Sequence, residues 1–307
     1  MKIVVIGAGA MGSIYGGRLS HHNEVYLIDT NQKIVDRIND RGLTLVEGER
    51  EMLCYPRARI SAEGIGPADL VILFVKALYS RNALAAAGEL LGENTYVMTL
   101  QNGAGHEAIL NEYVKHDHII IGTTEDNGCV LEPGKVRHGH GGAGHTNVGL
   151  LVPDENGILE TIKSSFDCCG FKVQIHQNIQ KLIWHKLFTN VSLSALTGVL
   201  QVDMGFIAKN PHAWSAARRL IHEAVAVANR MNLDFDEEEI AEEVKKTSQG
   251  NPAGCTSIRA DLRDGRKTEV DTISGAVVRT AHELRMEVPS HELMVNLIHS
   301  MEERNKG

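Results

Sequence analysis

The sequence predicts an α/β domain built on a parallel sheet, followed by an all-helical domain. Two continuous aliphatic runs, within 2–6 and 70–75, are typical of strands buried on both faces of a parallel sheet. Stretches with apolar residues at helical spacing separate such runs in the first half of the chain. Beyond about residue 178 only helical patterns recur. We therefore expect a first domain at 1–177 and a second at 178–307.

The first domain alternates predicted strands with predicted helices. The strands that should form its parallel sheet lie at 2–6, 24–28, 70–75, 95–100 and 119–121. The helices between them lie at about 10–22, 31–41 and 79–91. Short strands at 43–46 and 52–55 predict a hairpin that leaves this alternation.

The composition of the chain changes between residues 128 and 149, which are rich in Gly and His. This stretch contains short strand patterns at 135–137 and 147–151, and a helix at 157–168 leads to a last strand at 172–175. We expect these strands to be antiparallel additions at the edge of the sheet.

The second domain consists of predicted helices. They lie at 179–200, 211–231, 237–247 and 270–286. In the last of them Val270, Ile273 and Val277 recur at spacings of three and four, which gives one apolar face.

Composition limits the class of partner. The formal net charge is -8, and no stretch rich in Lys and Arg interrupts this acidity, so nucleic acid is not expected to bind. The longest strongly apolar run, 70–75, is far too short to cross a bilayer, and no leader pattern follows Met1. We expect a cytoplasmic protein that binds a small molecule, and its apolar second-half helices would allow a homodimer.

The cysteines indicate a reducing compartment. There are five of them, an odd number, and none forms a Cys-x-x-Cys pair. We expect reduced thiols in the cytoplasm.

A glycine-rich turn follows the first predicted strand directly and opens the first predicted helix. Its sequence is Gly7-Ala8-Gly9-Ala10-Met11-Gly12. In a Rossmann-type domain the first glycine allows the tight turn, the second admits a pyrophosphate, and the third lets helix and strand pack closely. The helix N-terminus adds hydrogen-bond donors and partial positive charge. The turn therefore predicts dinucleotide binding.

Asp29 ends the second predicted strand. A carboxylate at that point can accept the ribose hydroxyls of NADH and repels the 2′-phosphate of NADPH, so Asp29 favours NADH. Two alternatives stay open: Asp29 could instead cap the following helix, and Lys33 or Arg37 could neutralise a phosphate.

A polar stripe runs along the otherwise apolar helix predicted at 179–200. Lys186, Asn190 and Ser194 recur every four residues, which places them on one helix face. Lysine is rarely buried without a partner or a function, and an ammonium group flanked by hydrogen-bonding groups suits a proton donor to a carbonyl oxygen. The alternative is a surface helix whose lysine extends into water.

A second polar cluster precedes the last predicted helix. Ser257 and Arg266 could bind a substrate carboxylate, and Glu269 could orient Lys186 or the reacting oxygen. The alternative is a solvated charged loop in which Thr268 and Glu269 cap the helix.

The histidines between His138 and His145 suggest a metal site, but we expect no metal there. The segment has no neighbouring acidic or thiol ligands in sequence, and its glycines suit hairpin turns.

Together these motifs resemble the ketopantoate reductase (2-dehydropantoate 2-reductase) family of the 6-phosphogluconate-dehydrogenase-like superfamily. The resemblance covers essentially the whole chain, and its specificity lies in the ordered co-occurrence of several motifs. These are the glycine turn, Val75-Lys76, Gln101-Asn102-Gly103, Lys186-x-x-x-Asn190 with Leu196-Thr197, and Ser257 with Arg266-x-Thr268-Glu269-x-Asp271.

The resemblance implies hydride transfer from NAD(P)H to C2 of a 2-oxo acid such as ketopantoate, a step of pantothenate biosynthesis. It implies that Lys186 is the general acid and that Asn190 binds substrate. Ser257 would bind the substrate carboxylate, with Arg266 as a weaker candidate, and Glu269 would face the substrate hydroxyl side. Lys76 and Asn102 would line the cofactor and the inner cleft.

Two positions depart from the family pattern. Ser194 stands where the family commonly has a second asparagine, and Asp29 stands where members that use NADPH, the default cofactor of the family, usually lack an acid. Both departures are similar to the family's NADH-dependent D-2-hydroxy acid (mandelate-type) dehydrogenases, which are the first alternative function. The second alternative is a dinucleotide-binding redox sensor without catalysis, which would not need Lys186 and Glu269.

Overall fold

The computed structural model describes residues 1–139 and 144–304, and these residues form two compact units. The first unit comprises Met1–Gln101 with His106–Ile179. The second comprises Asn102–Gly105 with Gln180–Gly307. The predicted division into domains at residue 177 stays a prediction.

The first unit is built on a mostly parallel sheet, as the sequence predicts. Within the described residues it has eight strands in the order β12-β11-β8-β7-β6-β1-β2-β5, and only the β8–β11 pair is antiparallel. The bounds are β1 (Lys2–Ile6), β2 (Glu24–Ile28), β5 (Arg57–Arg59), β6 (Leu70–Leu73), β7 (Tyr96–Thr99), β8 (Ile119–Thr124), β11 (His145–Leu150) and β12 (Lys172–Ile175). The central strands β1, β6 and β7 are buried along nearly their whole length, because they are covered on both faces.

Among the residues that the structure describes, five α-helices connect these strands. They are α1 (Ala10–Leu19), α2 (Gln32–Arg41), α3 (Ser80–Ala85), α4 (His106–Leu110) and α5 (Ile158–Asp167). The predicted helix at 79–91 is broken into α3 and flanking 3-10 turns. Small residues in this segment, such as Ala83 and Ala86, line a cavity that is described below.

A second, smaller sheet corrects the prediction that all the later strands extend the edge of the main sheet. Its order is β4-β3-β10-β9, formed by β3 (Leu43–Glu47), β4 (Arg50–Cys54), β9 (Gly128–Glu132) and β10 (Lys135–His138). The hairpin of β3 and β4 is as predicted, but β10 pairs in parallel with β3. This pairing is non-local, and local sequence patterns carry no information about it. Only β11 and β12 extend the main sheet.

A buried polar chain joins helix α1 to the smaller sheet. Arg18 of α1 donates to the Glu47 carboxylate through Nε (3.0 Å) and Nη2 (2.5 Å). His138 lies between two carboxylates, 2.9 Å from Glu47 and 2.9 Å from Asp126. Burial disfavours the charged imidazole, but the two carboxylates outweigh it and raise the pKa of His138. The hydrogen bonds from His138 and Arg18 also outweigh burial at Glu47 and lower the pKa of its carboxyl.

The second unit is helical, as the sequence predicts. Its helices are α6 (Ile179–Thr189), α7 (Ala195–Leu200), α8 (Met204–Lys209), α9 (Pro211–Arg230), α10 (Glu237–Gly250), α11 (Ser257–Arg263), α12 (Ser274–Glu283) and α13 (Pro289–Arg304). The predicted helix at 270–286 begins later than expected, because Val270–Thr272 forms a 3-10 turn before α12. The short helices α8 and α11 and the long helix α13 were not predicted.

The polar chain makes stability depend on pH. Folding raises the pKa of His138, so protonated His138 stabilises the folded state. This contribution to the free energy of unfolding is complete below the ordinary pKa of about 6.5 and disappears as the pH rises through the folded-state pKa. Replacing His138 with Gln, which carries no charge, should lower stability by about 1–3 kcal/mol near pH 6. The deficit should shrink toward pH 9, and thermal melting of both proteins across this range measures it.

A matched control is His145→Gln, since His145 makes an exposed 3.2 Å pair with Glu125. Exposed pairs contribute about 0–1 kcal/mol, so this variant should melt like the wild type. A His138→Gln deficit of the same size at every pH would contradict the charged state of His138.

Candidate dinucleotide and substrate sites

The glycine turn is shaped by backbone contacts that leave no space for side chains at two of its positions. A Cβ atom on Gly12 would lie 1.8 Å from the Gly7 carbonyl oxygen. Gly7 itself has φ +102°, and a Cβ there would lie 2.9 Å from the Val75 nitrogen. A Cβ on Gly9, in contrast, would have nothing within 4 Å. The turn is therefore tightly packed on the protein side and open at Gly9, where a pyrophosphate would approach.

Helix α1 begins at this opening. Gly9 is its N-cap residue, and the first turn contains no acidic side chain. The amides of Ala10, Met11 and Gly12 belong to that first turn, whose N–H groups have no acceptor within the helix. This arrangement suits a phosphate group.

Asp29 is held by the backbone on either side of it. One carboxylate oxygen accepts from the Ala8 amide (2.9 Å) and the other accepts from the Asn31 amide (2.9 Å). Helix α2 is capped by Asn31, whose side chain accepts from the Lys33 amide. Asp29 therefore does not cap α2, which removes that alternative.

A cavity of about 380 Å³ lies beside Asp29 in the first unit. Gly7, Asp29 and Val75 line it together with mostly small or apolar residues, among them Ile60, Ala83 and Ala86. Ile60 and Ala83 lie in no sequence motif, so local pattern does not reveal them as cavity residues. The cavity is large and apolar enough to receive a planar aromatic ring such as adenine.

Lys76 follows β6 and is half-buried at the start of a 3-10 turn. The carbonyl before it, that of Val75, accepts from the Gln101 side chain at 2.6 Å, and the same amide group donates to Ser80 at 2.9 Å. Gln101 thus ties the end of β7 to the turn that carries Lys76. The Gln101-Asn102-Gly103 motif pointed to this segment, although this role of Gln101 was not predicted.

In the second unit a π-helical turn interrupts the predicted polar stripe. Residues Asn190–Ser194 form this turn between α6 and α7, with i→i+5 bonding in place of i→i+4. Lys186 and Asn190 are half-buried, whereas Ser194 is 3% exposed. Ser192 donates from its hydroxyl to the Phe188 carbonyl at 2.6 Å. Such turns are frequent at functional sites.

Ser257 is placed by its neighbour Thr256. The Thr256 hydroxyl lies 2.7 Å from that of Thr197 in α7, and it caps α11 by accepting from the Arg259 amide. Helix α11 packs against α7 and the π-helical turn. Ser257 is the exposed first residue of α11. The capping pattern of a threonine before a helix could have revealed Thr256.

Arg266 and Glu269 lie in different environments. Arg266 is about half exposed and pairs with Asp261 (2.9 Å) and Asp264 (2.8 Å). Glu269 is half-buried, and its side chain caps neither the 3-10 turn that follows it nor α12. Thr268 donates from its amide and its hydroxyl to the buried Glu302 carboxylate, and its hydroxyl also accepts from the Val270 amide at the start of the 3-10 turn.

Asn102 is exposed and belongs to the second unit, although it follows a strand of the first. Lys186, Asn190, Ser194, Ser257, Arg266 and Glu269 belong to the same compact unit. The candidate substrate residues therefore all belong to the second unit, whereas the glycine turn, Asp29 and Lys76 belong to the first.

The histidine-rich segment has acidic neighbours in the folded protein that it lacks in the sequence. Folding brings Asp126 and Glu47 to His138, so acidic neighbours exist, and they occupy both ring nitrogens. His140 to Ala143 lie outside the described residues. Among 1–139 and 144–304, no group of three His, Cys, Asp or Glu side chains has the arrangement of a metal site.

Two further sequence expectations concern the thiols and the membrane. All five cysteines are free thiols. In the part of the chain that the structure describes, no helix is long and apolar enough to span a membrane.

The difference in packing between Gly9, which has free space beside it, and Gly12, which has none, can be tested with a pair of variants. Gly9→Ala adds a methyl group in open space, so the protein should melt like the wild type while its dissociation constant for NADH rises about 10-fold or more, which corresponds to about 1.4 kcal/mol. Gly12→Ala should destabilise the first unit, because its Cβ would collide with backbone. Melting curves and NADH fluorescence titration measure the two effects. Unchanged NADH binding by Gly9→Ala would contradict the assignment of the turn.

Comparison with known proteins agrees with the geometry of both units. Residues 3–152 match the model of "Ketopantoate reductase PanE/ApbA", and residues 178–302 match that of its C-terminal part. The 2-dehydropantoate 2-reductase of Pyrococcus horikoshii is 30% identical and covers 100% of this chain and 99% of its own length. That of Halobacterium salinarum is 29% identical over 97% of this chain and 98% of its own length.

Solved structures show the same fold. A D-mandelate dehydrogenase bound to NADH and anilino(oxo)acetate has a TM-score of 0.90 at 27% identity and covers 100% of both chains. A PanE/ApbA family ketopantoate reductase from Ralstonia eutropha has a TM-score of 0.90 at 26% identity, also over 100% of both chains. The chain belongs to the ketopantoate reductase family and is an oxidoreductase of that family.

Proposed function

We propose that the protein reduces the C2 carbonyl of a small 2-oxo acid, with ketopantoate as the first candidate, at the expense of NAD(P)H. The observation that carries this proposal is the presence of Lys186, Asn190, Ser257 and Glu269 in this chain. These four residues stand at the positions of the family motif and lie in one compact unit.

The first unit suits the nicotinamide dinucleotide. The space before Gly9, the N-terminus of α1 and the apolar cavity beside Asp29 would receive pyrophosphate, phosphate oxygens and adenine in turn. When bound, the reduced cofactor supplies the hydride that reaches C2 of the substrate.

Lys186 would supply the proton that completes the reduction. As the C2 carbonyl accepts a hydride, its oxygen gains a bond to hydrogen, and the Lys186 ammonium gives up that proton. The product is a 2-hydroxy acid, and Lys186 regains a proton from solvent. A positioned acid of this kind contributes about 10²–10⁴-fold in rate.

The remaining residues would orient the substrate. The Asn190 amide binds it from the π-helical turn, and the Ser257 hydroxyl binds its carboxylate from the start of α11. Glu269 would face the hydroxyl side of the substrate. Arg266 would have to give up its pairs with Asp261 and Asp264 to bind a carboxylate, so Ser257 takes that role first.

Asp29 supports NADH as the preferred cofactor. Its two bonds to backbone amides fix the carboxylate at the end of β2 beside the cavity, where it would accept ribose hydroxyls and repel a 2′-phosphate. Arg37 donates to the Gly42 carbonyl at the far end of α2, which weakens the case for Arg37 as a phosphate ligand. The exposed Arg59, whose carbonyl accepts from the Asp29 amide, is the cation that would favour NADPH.

A second candidate function within the family is the oxidation and reduction of bulkier D-2-hydroxy acids. Two observations favour it: the buried Ser194 in place of the usual asparagine, and the similarity to a D-mandelate dehydrogenase structure that contains NADH. A shorter side chain would leave more room at the far end of the substrate. The five free thiols agree with the cytoplasmic location that we propose for either reaction.

The general acid is tested by Lys186→Ala. This variant should lose about 10²-fold or more of the turnover number for 2-oxo acid reduction, while its affinity for NADH stays within a few-fold of the wild type. The control is Lys181→Ala, since Lys181 is exposed on the same helix and donates to the Asp234 carbonyl at 2.9 Å. Near-normal turnover by Lys186→Ala would remove Lys186 from the mechanism.

The cofactor preference is tested by Asp29→Asn. Loss of a charged hydrogen bond costs about 1.5–3 kcal/mol, so kcat/KM with NADH should fall about 10–100-fold. The value with NADPH should be retained or rise. Asp36→Asn, a change at an exposed carboxylate on α2, should leave both values unaltered. If the NADH to NADPH ratio of Asp29→Asn equals that of the wild type, Asp29 does not select the cofactor.

A further inference from the structure

Thr272 lies between two of the candidate site residues. Its hydroxyl is 3.3 Å from the Asn102 carbonyl oxygen and 3.2 Å from the Glu269 carbonyl oxygen. The side chain is buried, with 9% of its surface exposed. One hydroxyl hydrogen is thus shared between the backbones of two residues that are 167 positions apart in sequence.

The Asn102 segment is held against Thr272 by backbone contacts as well. The Ala104 amide donates to the Thr272 carbonyl at 2.9 Å. Gly103 has φ +98°, and a Cβ on it would lie 2.1 Å from the same carbonyl oxygen. Only glycine permits this approach, so the Gln101-Asn102-Gly103 motif has its glycine because the turn packs on Thr272.

The other end of the Glu269 segment is fixed independently. Glu302 of α13 is buried and accepts from both the amide and the hydroxyl of Thr268 at 2.7 Å. His299 of the same helix lies 3.0 Å from the Asp271 carboxylate and 3.1 Å from that of Glu302. Glu269 therefore sits on a segment that is bound to α13 on both sides of it.

These contacts hold the backbone of the segment in addition to the Thr272 hydroxyl. What it adds is a direct link between Asn102 and Glu269. We propose that Thr272 is a positioning residue for the reaction, which sets Asn102 relative to Glu269 through its hydroxyl. The proposal rests on the proposed function, since it assumes that both residues act on bound 2-oxo acid and cofactor.

The test compares Thr272→Val, which keeps the shape and removes the hydroxyl, with Thr272→Ser, which keeps the hydroxyl. A shared hydrogen bond contributes about 0.5–1.5 kcal/mol, so the turnover number of Thr272→Val should fall about 2- to 12-fold. The melting temperature should fall by a few degrees at most, as the loss of one buried hydrogen bond implies, and the dissociation constant for NADH should stay at its wild-type value. Thr272→Ser should restore turnover to within about 2-fold. Thr280→Val, a change on the neighbouring helix α12, serves as the control.

A double-mutant cycle separates positioning from general packing. If Thr272 acts through Asn102, then Thr272→Val should have a smaller effect on turnover in an Asn102→Ala background than in the wild type. Full additivity of the two losses would overturn the proposal. So would unchanged turnover by Thr272→Val, or a parallel loss of melting temperature that Thr272→Ser shares.

The outcomes distinguish this proposal from the proposed function. An active wild type with an unaffected Thr272→Val variant rejects only the positioning role of Thr272. A wild type that binds NADH but reduces no 2-oxo acid rejects the proposed function, and the positioning role with it.

Discussion

The close approach of helix α1 to the end of strand β1 is the constraint on which the first unit depends. It requires that position 12 carry no Cβ, because the Gly7 carbonyl oxygen occupies that place. The same approach directs the start of α1 toward the open space at Gly9, and Asp29 secures the turn by accepting from the Ala8 amide. The close approach of α1 to β1 therefore explains both the packing of the turn and the opening proposed to bind the cofactor. Arg18, farther along α1, donates to Glu47 of β3 and so joins the same helix to the smaller sheet.

In the second unit the candidate residues are positioned by the residues next to them in sequence. The residues that hold the backbone are neighbours of the site residues: Thr256 beside Ser257, Thr268 beside Glu269, and Gly103 beside Asn102. These neighbours make hydrogen bonds or backbone contacts within the protein, while Ser257 and Asn102 remain exposed and Glu269 is half-buried. A site built in this way is preorganised by the scaffold, which reduces the cost of ordering it around a substrate.

The sequence predicted most of the features that depend on local pattern, although it did not predict helix α13. The aliphatic strands β1 and β6, the β3–β4 hairpin and the long helix α9 follow from runs and periodicities that packing reinforces. Pairing of β10 with β3 and the carboxylates around His138 depend on contacts between distant segments, which local pattern does not encode. The π-helical turn also escaped prediction, because an α-helix with the same residues would show the same polar stripe. Motifs identified the candidate site residues, but not the cavity beside Asp29.

The central claim is that the family constellation in this chain is catalytic. The most direct measurement is the initial rate of the purified protein with ketopantoate and with phenylglyoxylate, each with NADH and with NADPH, followed by nicotinamide absorbance. We expect oxidation of the cofactor that depends on the 2-oxo acid, with ketopantoate as the better substrate and NADH as the better cofactor. Tight binding of NADH without turnover of either acid would contradict the account and would indicate a dinucleotide-binding protein without this catalytic activity.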